Sequence, residues 1–380
     1  MKRSFLFTIS TCLILSSATA AYGQFGRLTK ALSKAKTFAD LRISDEDEQA
    51  LGEAISQRIR DIYGVQQDEA QTRYVSLVGR VLAEKSSRPN LPWTFIILDS
   101  DSTNAFAAPG GYIHITRGAL AVMKDEAELA GVLAHEITHV TEKHTIQGIQ
   151  KMKGIEIAGD ETSLSNNSAL LDKVSEKATE ALLQGFGRAE ELEADEKGAE
   201  LAADCRYSPQ GLVEFLQSLQ DRYASRQQRA GLFASHPETQ ERLDKLAKEI
   251  GKEKLDQKGT VVLADRFASN LHYKLAAFTG TGAIAAGARG MAGGESASKE
   301  SGKENEKDSD KDKKGGGFMS KLSNPFGSGK KEEKAEVTGS AAARGVETEV
   351  GTEQPGNPQV VAVQITPADI RAFKQQGGLS

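Results

Sequence analysis

The chain has 380 residues and a formal net charge of −5, with 48 Lys and Arg against 53 Asp and Glu. This length suits one large domain or two domains of ordinary size. Charged residues of both signs are mixed along the chain, so the composition argues against a nucleic-acid-binding protein.

The N-terminus has the pattern of a secretory signal peptide. Two basic residues precede the apolar run Phe5–Leu15, and small residues follow it, with an A-x-A site at Ala18–Thr19–Ala20. We expect residues 1–23 to be a signal peptide, cut after Ala20 or Gly23, and the protein to be exported to the periplasm. An uncleaved membrane anchor is the alternative, but the apolar run is too short to span a bilayer comfortably.

We expect a mostly helical α+β domain over residues 24–278. Residues 24–40 have apolar side chains at helical spacing with lysines between them, which predicts a helical arm. This arm either packs on its own domain or touches an anionic membrane surface. Ser44 is expected to cap the next helix. Cys205 is the one cysteine left after the signal peptide is removed, so it cannot form an internal disulfide.

The middle of the chain predicts a small sheet followed by helices. Residues 93–100 and 110–118 are rich in β-forming side chains and predict two strands. One helix is predicted at Asp125–Gln150 and a long one from about Leu170 to Asp204. A capping box at Ser235–Glu238 predicts the start of the last helix.

The composition changes after about residue 278. Residues 279–357 are rich in glycine and then in mixed charge, which predicts a disordered linker. Residues 358–380 predict a short strand and a helix that starts at Thr366–Pro367, and this segment docks either on the main domain or on a partner. Because the tail lacks core-forming residues, we expect a chain that ends near Phe278 to remain folded.

The stretch GVLAHEITHV, residues 131–140, contains two histidines four positions apart. On a helix, His135 and His139 lie about 40° apart around the axis, so both imidazoles can bind one metal ion. Glu136 points about 100° away from His135, where it can act on water rather than on the metal. This division of labour is typical of zinc hydrolysis. Apolar neighbours bury this helix, and burial favours a metal site over a chance surface pattern.

The third metal ligand must come from elsewhere in the chain. Thr145 stands where the HExxHxxGxxH pattern has its third histidine, and His144 lies about 180° from His135 on a continuous helix, so we expect it to face away. Downstream, Glu191 and Asp195 share one helix face. They are either part of a solvated acidic surface, or a metal ligand and the acceptor of a ligand histidine's N–H.

Four segments, NAFAAPGGYIHITRGAL, ELAGVLAHEITHVTEKH, EELEADEKG and SHPETQERL, occur in this order. Through them, residues 43–250 resemble the HtpX-like and CAAX-prenyl-endopeptidase-like zinc metallopeptidases, which include soluble periplasmic proteases of outer-membrane quality control. The resemblance implies a zincin-like domain with one Zn²⁺ per chain. It also implies that Glu136 is the general base, that Asp195 lies behind the ligands, and that the zinc ligands are His135, His139 and Glu191.

The resemblance extends to residues around the metal. His236 and Arg242 match a downstream histidine and arginine of the family, and we expect either of them to steady the oxyanion. The stretch 104–108 resembles the edge strand that holds an extended substrate by main-chain pairing. The expected substrate-binding residues are Asn104, Ala105, Phe106 and Ala107.

His236 directly follows Ser235, the predicted helix cap. The helix dipole disfavours an imidazolium there, so we expect His236 to be neutral and able to bind a metal. A fourth protein ligand displaces the water that hydrolysis needs. We therefore predict that His236 closes the site in a resting form and swings away for turnover; the alternative is a histidine that only fills the helix N-terminus.

These patterns predict a zinc-dependent metalloendopeptidase that cleaves extended or misfolded proteins of the bacterial cell envelope. Two alternatives stay open: a zinc-bound periplasmic chaperone or assembly factor with slow proteolysis, and an interaction scaffold that works through the tail. We expect unfolded or misfolded envelope proteins as partners. Contact with the outer membrane or its assembly machinery is left open, and the sequence predicts no oligomeric state.

Overall fold

The computed structural model describes residues 36–37, 43–151, 156–157, 163–223, 236, 239–273 and 356–380. The predicted signal peptide, nearly all of the predicted linker, and the two ends of the predicted capping box, Ser235 and Glu238, lie outside these residues. Within them, no helix combines the length and the apolar character that crossing a bilayer requires.

Helices dominate the described residues and a small sheet lies among them, which confirms the predicted mostly helical α+β fold class. The helices are α1 (Asp45–Tyr63), α2 (Glu69–Lys85), α3 (Arg117–Val122), α4 (Glu126–Thr141), α5 (His144–Lys151), α6 (Ser168–Gln184), α7 (Arg188–Asp204), α8 (Gln210–Tyr223), α9 (Thr239–Lys252), α10 (Leu255–Lys258), α11 (Ala264–Asn270) and α12 (Pro367–Gly377). The strands are β1 (Lys36–Thr37), β2 (Thr94–Leu98), β3 (Ala105–Ala108), β4 (Tyr112–Thr116) and β5 (Glu156–Ile157).

The main sheet has three strands in the order β2-β4-β3. β2 runs parallel to β4, and β3 runs antiparallel to it, with Ala105 opposite Ile115 and Ala108 opposite Tyr112. Among the described residues, β3 is therefore an edge strand. The two strands predicted within residues 93–100 and 110–118 are confirmed as β2 and β4.

Helix α4 lies at the centre of the domain. Every residue from Glu126 to Val140 is buried, and the helix packs against α2, α7, α8 and β3. Gly198 of α7 permits a close approach, because a Cβ atom at this position would lie only 3.0 Å from the backbone of His135. This contact brings the acidic residues of α7 directly alongside the two histidines of α4.

The helix predicted for Asp125–Gln150 is interrupted, so this prediction was wrong in its second half. Helix α4 ends at Thr141, and Lys143 adopts a left-handed conformation with φ 58°. Helix α5 then begins at His144. A side chain after the break no longer follows the angular spacing of α4, because one left-handed residue ends the helical register.

The helix predicted from Leu170 to Asp204 is also two helices, α6 and α7. They are separated at Gly185–Gly187, where Gly185 has φ 95°, a conformation that only glycine adopts readily. The predicted helical arm of residues 24–40 lies outside the described residues except at Lys36–Thr37. There the structure has the short strand β1, paired with β5, instead of a helix.

The C-terminal segment docks on the main domain. Its helix is confirmed as α12 and begins with a capping box between Thr366 and Asp369, whereas the predicted strand before it does not form. Ile370 and Phe373 are buried in the main hydrophobic core. The expectation that the tail lacks core-forming residues is therefore wrong. The prediction that a chain ending near Phe278 remains folded was based on this expectation and loses that basis.

Candidate metal centre

Four side chains from three parts of the chain converge beside α4. The Nε2 atoms of His135 and His139 lie 3.0 Å apart, and Nδ1 of His236 lies 3.3 Å from Nε2 of His135. Oε1 of Glu191, from α7, lies 3.6 Å from Nε2 of His139 and 2.7 Å from Nδ1 of His236. All four side chains are buried.

These four side chains, here called the donor group, fit a zinc ion. Ligand atoms about 2.0–2.1 Å from a tetrahedral zinc ion are about 3.3–3.4 Å from one another, and the donor separations given above bracket this value. Burial lowers the pKa of His139 well below its ordinary value, and the charges of His135 and His236 act in the same direction. The imidazole of His139 therefore stays neutral, as metal binding requires.

Glu136 projects into the same space, and its Oε1 lies 3.6 Å from Nε2 of His236. It is fully buried, and neither carboxylate oxygen has a hydrogen-bond partner among the described residues. Burial raises the pKa of Glu136 above its ordinary value. A buried carboxylate with free lone pairs and a raised pKa has the properties of a general base for water.

Asp195 and Arg242 hold the donor group from behind. Oδ1 of Asp195 lies 3.0 Å from Nδ1 of His135, on the opposite side of the ring from the metal-facing Nε2. The guanidinium of Arg242 donates to both carboxylate oxygens of Asp195 at 2.7 and 2.6 Å, and lies 2.8 Å from Oε2 of Glu191. Arg242 thus orients two acidic side chains here; its predicted contact with an oxyanion stays a prediction.

His144 contacts the second ring nitrogen of His139, the one that points away from the donor group. Nδ1 of His144 lies 2.8 Å from Nδ1 of His139, and its Nε2 lies 3.3 Å from Glu193. The prediction that His144 faces away was wrong because it assumed one continuous helix, which Lys143 interrupts. No spacing rule in the sequence could have found this contact.

Phe186 was also missed by the sequence analysis. Its ring stacks on His139 with ring centroids 3.9 Å apart and an angle of 13° between the planes. Phe186 lies between the two glycines that separate α6 from α7. The break between these helices therefore places an apolar wall on a candidate metal ligand, which restricts the orientation of its ring.

His236 lies among the four candidate metal donors, and its predicted gating role stays a prediction. Burial lowers its pKa, but the carboxylates of Glu191 and Glu136 outweigh burial and raise it above the ordinary value. This direction runs against the expectation that the helix dipole favours a neutral His236, because the neighbouring carboxylates raise its pKa. Helix α9 begins at Thr239, three residues further on.

The space beside Glu136 is small. The cavity next to it has a volume of about 10 Å³, roughly the space of one water molecule. Its walls include His236 and apolar side chains of α4 and α8, among them Val132, Leu212, Phe215 and Leu216. This cavity is too small to hold a peptide.

The predicted substrate-binding residues lie on and next to the edge strand. Ala105, Phe106 and Ala107 belong to β3, and Asn104 directly precedes it. All four are buried, and β3 packs against α4. The structure thus brings β3 next to α4, the metal helix that carries His135 and His139. That β3 holds substrate stays a prediction.

Two histidines and a glutamate on one buried helix, with a carboxylate from a second helix, define a zinc metallopeptidase site. Residues 69–250 match the family model described as Peptidase family M48. Over these residues the chain is similar to Peptidase family M48, a family of zinc metallopeptidases. The resemblance to this class seen in the sequence is confirmed.

Several curated proteins are similar to the chain. It is 28% identical over 252 residues to the beta-barrel assembly-enhancing protease of Yersinia pestis, covering 62% of this chain and 51% of that protein. It is 26% identical over 259 residues to the Escherichia coli K12 protein of the same name, covering 64% and 51%. It is 30% identical over 182 residues to the mitochondrial metalloendopeptidase OMA1 of Schizosaccharomyces pombe, covering 46% and 52%. The chain spans about half the length of these relatives.

Proposed function

We propose that the protein is a zinc-dependent endopeptidase that cleaves extended or misfolded proteins of the bacterial cell envelope. The convergence of His135, His139, Glu191 and His236 beside the buried carboxylate of Glu136, which has no hydrogen-bond partner among the described residues, carries this proposal. Structural histidines do not normally turn their nitrogen lone pairs toward one another and toward a carboxylate in a buried space, whereas a metal site requires it.

The chain's own residues supply the proton transfers of the reaction. Zinc, when bound to His135, His139 and Glu191, supplies Lewis acidity to water and to the scissile carbonyl. Glu136 takes the proton from the attacking water and passes it to the nitrogen of the leaving amine. Asp195 fixes the His135 ring with its Nε2 lone pair toward the metal.

The edge strand β3 supports the choice of an extended substrate. A chain that pairs with β3 through its main chain is selected for being unfolded rather than for particular side chains. β3 also packs against α4, the helix that carries Glu136. Misfolded proteins present such extended segments.

The cell envelope is proposed from two observations. The N-terminal residues have the pattern of a signal peptide. Two of the relatives described above are named for enhancing beta-barrel assembly. We infer that the protein acts in the periplasm and that its substrates include proteins on their way to the outer membrane. Proteins trapped by a Glu136→Gln variant in cells test this inference, and a set of purely cytoplasmic proteins would contradict it.

Cleavage of reduced casein by the purified, zinc-loaded protein tests the activity. We expect cleavage that a chelator abolishes and added zinc restores, and that Glu136→Gln abolishes while zinc stays stoichiometric. Glu180→Gln, an exposed glutamate on α6, is the matched control. Suppression of casein aggregation without cleavage would instead support the chaperone alternative, and loss of zinc in Glu136→Gln would refute the role of this residue.

A further inference from the structure

The outer edge of β3 can be read from its pairing with β4. The amide N–H of Thr116 donates to the carbonyl of Asn104, so these opposite residues form a hydrogen-bonded pair. In an antiparallel ladder such pairs alternate with pairs whose main-chain groups point away from the partner strand. The main-chain groups of Ala105 and Ala107 therefore point outward, toward the edge that no strand occupies among the described residues.

Side chains of the protein occupy both of these outward positions. The amide N–H of Ala105 donates to Oδ1 of Asn104 at 2.9 Å. The hydroxyl of Thr145, in the first turn of α5, donates to the carbonyl of Ala107 at 3.1 Å. Ala105 and Ala107 are completely buried, and buried main-chain groups need a partner. Asn104 and Thr145 thus provide two of the hydrogen bonds that an added strand would make.

We propose that Thr145 and Asn104 are place-holders for the substrate main chain, and that a bound peptide displaces Thr145 from Ala107. The inference rests on the proposed function, since it takes β3 to be the strand that holds substrate. It adds a specific competition: the same carbonyl of Ala107 is held by Thr145 at rest and by a peptide N–H in the complex.

The position of α5 supports this competition. The helix has eight residues and starts directly after the left-handed Lys143, so only a short connection joins it to α4. Thr145 is itself buried, which means that no peptide reaches the carbonyl of Ala107 until this side chain withdraws. Substrate binding on β3 therefore requires the Thr145 side chain to leave the carbonyl of Ala107.

Thr145→Val removes the hydroxyl and keeps the shape of the side chain. The carbonyl of Ala107 is then unpaired in the resting protein but is still paired when a peptide binds. Because leaving a buried acceptor unpaired destabilises only the resting state, the variant should bind an extended peptide more tightly, by about 5- to 100-fold. In the active enzyme, KM should fall while kcat is unchanged.

The decisive measurement is binding of a fluorescently labelled, unstructured casein peptide to the zinc-loaded Glu136→Gln protein, with and without Thr145→Val. The control is Thr179→Val, another buried threonine, whose hydroxyl donates to the carbonyl of Ser175 at 2.8 Å on α6. Thr145→Ser keeps the hydroxyl and should bind like the parent. If Thr145→Val does not fold, Thr145→Ala takes its place.

Tighter binding for Thr145→Val, with parent-like binding for the serine variant and the Thr179 control, supports the inference. Unchanged or weaker binding by a folded Thr145→Val protein overturns it. Because binding is measured in an inactive background, failure of the proposed function is distinguishable. If the parent enzyme cleaves nothing yet Thr145→Val binds peptide more tightly, the competition for the carbonyl of Ala107 is supported. The protease assignment is then refuted.

Discussion

The Nδ1 atom of His139 lies 2.8 Å from Nδ1 of His144, so a second histidine supports this candidate metal ligand. Nε2 of His139 faces the donor group, which leaves the ring proton on Nδ1 to donate to His144. His144 then carries its proton on Nε2 and directs it at Glu193, 3.3 Å away. In zinc proteins a carboxylate or carbonyl usually receives such an N–H, and here a neutral imidazole does so.

We expect His144→Ala to weaken zinc binding by about 10- to 100-fold, because His139 loses the acceptor that orients its ring. His144→Asn offers an oxygen acceptor and should restore part of the affinity. Competition with a chromogenic chelator measures both effects, and the exposed His272→Ala is the control. Equal affinity in all four proteins would leave His144 with a packing role only.

Glu191→Ala should lose zinc, whereas Glu193→Ala should keep a stoichiometric amount. Both residues lie on α7, but Glu191 is completely buried within the donor group, while the side chain of Glu193 is 43% exposed and touches His144 and Lys197. Metal analysis of the purified variants, together with circular dichroism to verify folding, distinguishes them. Zinc loss in Glu193→Ala alone would show that the wrong carboxylate has been assigned.

His236→Ala should raise kcat/KM for casein several-fold while zinc stays bound. The reason is that His236 forms part of the wall of the small cavity beside Glu136, so its removal widens the space for substrate without removing His135, His139 or Glu191. Rates and zinc content are measured beside the parent protein. A lower rate would indicate that His236 steadies the transition state, and no change in either quantity would contradict a gating role.

Phe373→Ala should lower the free energy of unfolding by about 3–5 kcal/mol, as expected for a large buried side chain. Phe373 lies in the main core, packs edge-on against Tyr74 with ring centroids 6.1 Å apart, and lies under the guanidinium of Arg266. Urea denaturation measures the change, and the exposed Arg371→Ala on the same helix is the control. Equal stability of the two variants would mean that α12 is dispensable.

Helix α12 is connected through Arg266 to the start of α4. Arg266 pairs with Glu126, the first residue of α4, and donates to the carbonyl of Phe373 at 3.0 Å. Deleting α12 therefore removes the contact of Phe373 with Arg266, the residue that pairs with Glu126 at the start of α4. We expect a chain that ends near residue 278 to be less stable than the full chain in the same denaturation experiment.

The sequence by itself determined the metal helix and the order of the motifs. The four-residue spacing of His135 and His139 fixes their common face on any helix, and the same spacing places Glu191 and Asp195 together. The strands on either side of residues 104–108 were also predictable, because alternation and β-branched residues are local signals. These features need no knowledge of distant parts of the chain.

Only the tertiary structure decided which side chains complete the site. One left-handed residue, Lys143, turns His144 from an outward-facing side chain into a support for His139, and a single dihedral angle of this kind carries no spacing signal. The docking of α12 depends on contacts such as that of Lys374 with Glu84, 290 positions apart. Periodicity describes neighbours within one element, whereas burial of Phe373 depends on where the folded core leaves room for it.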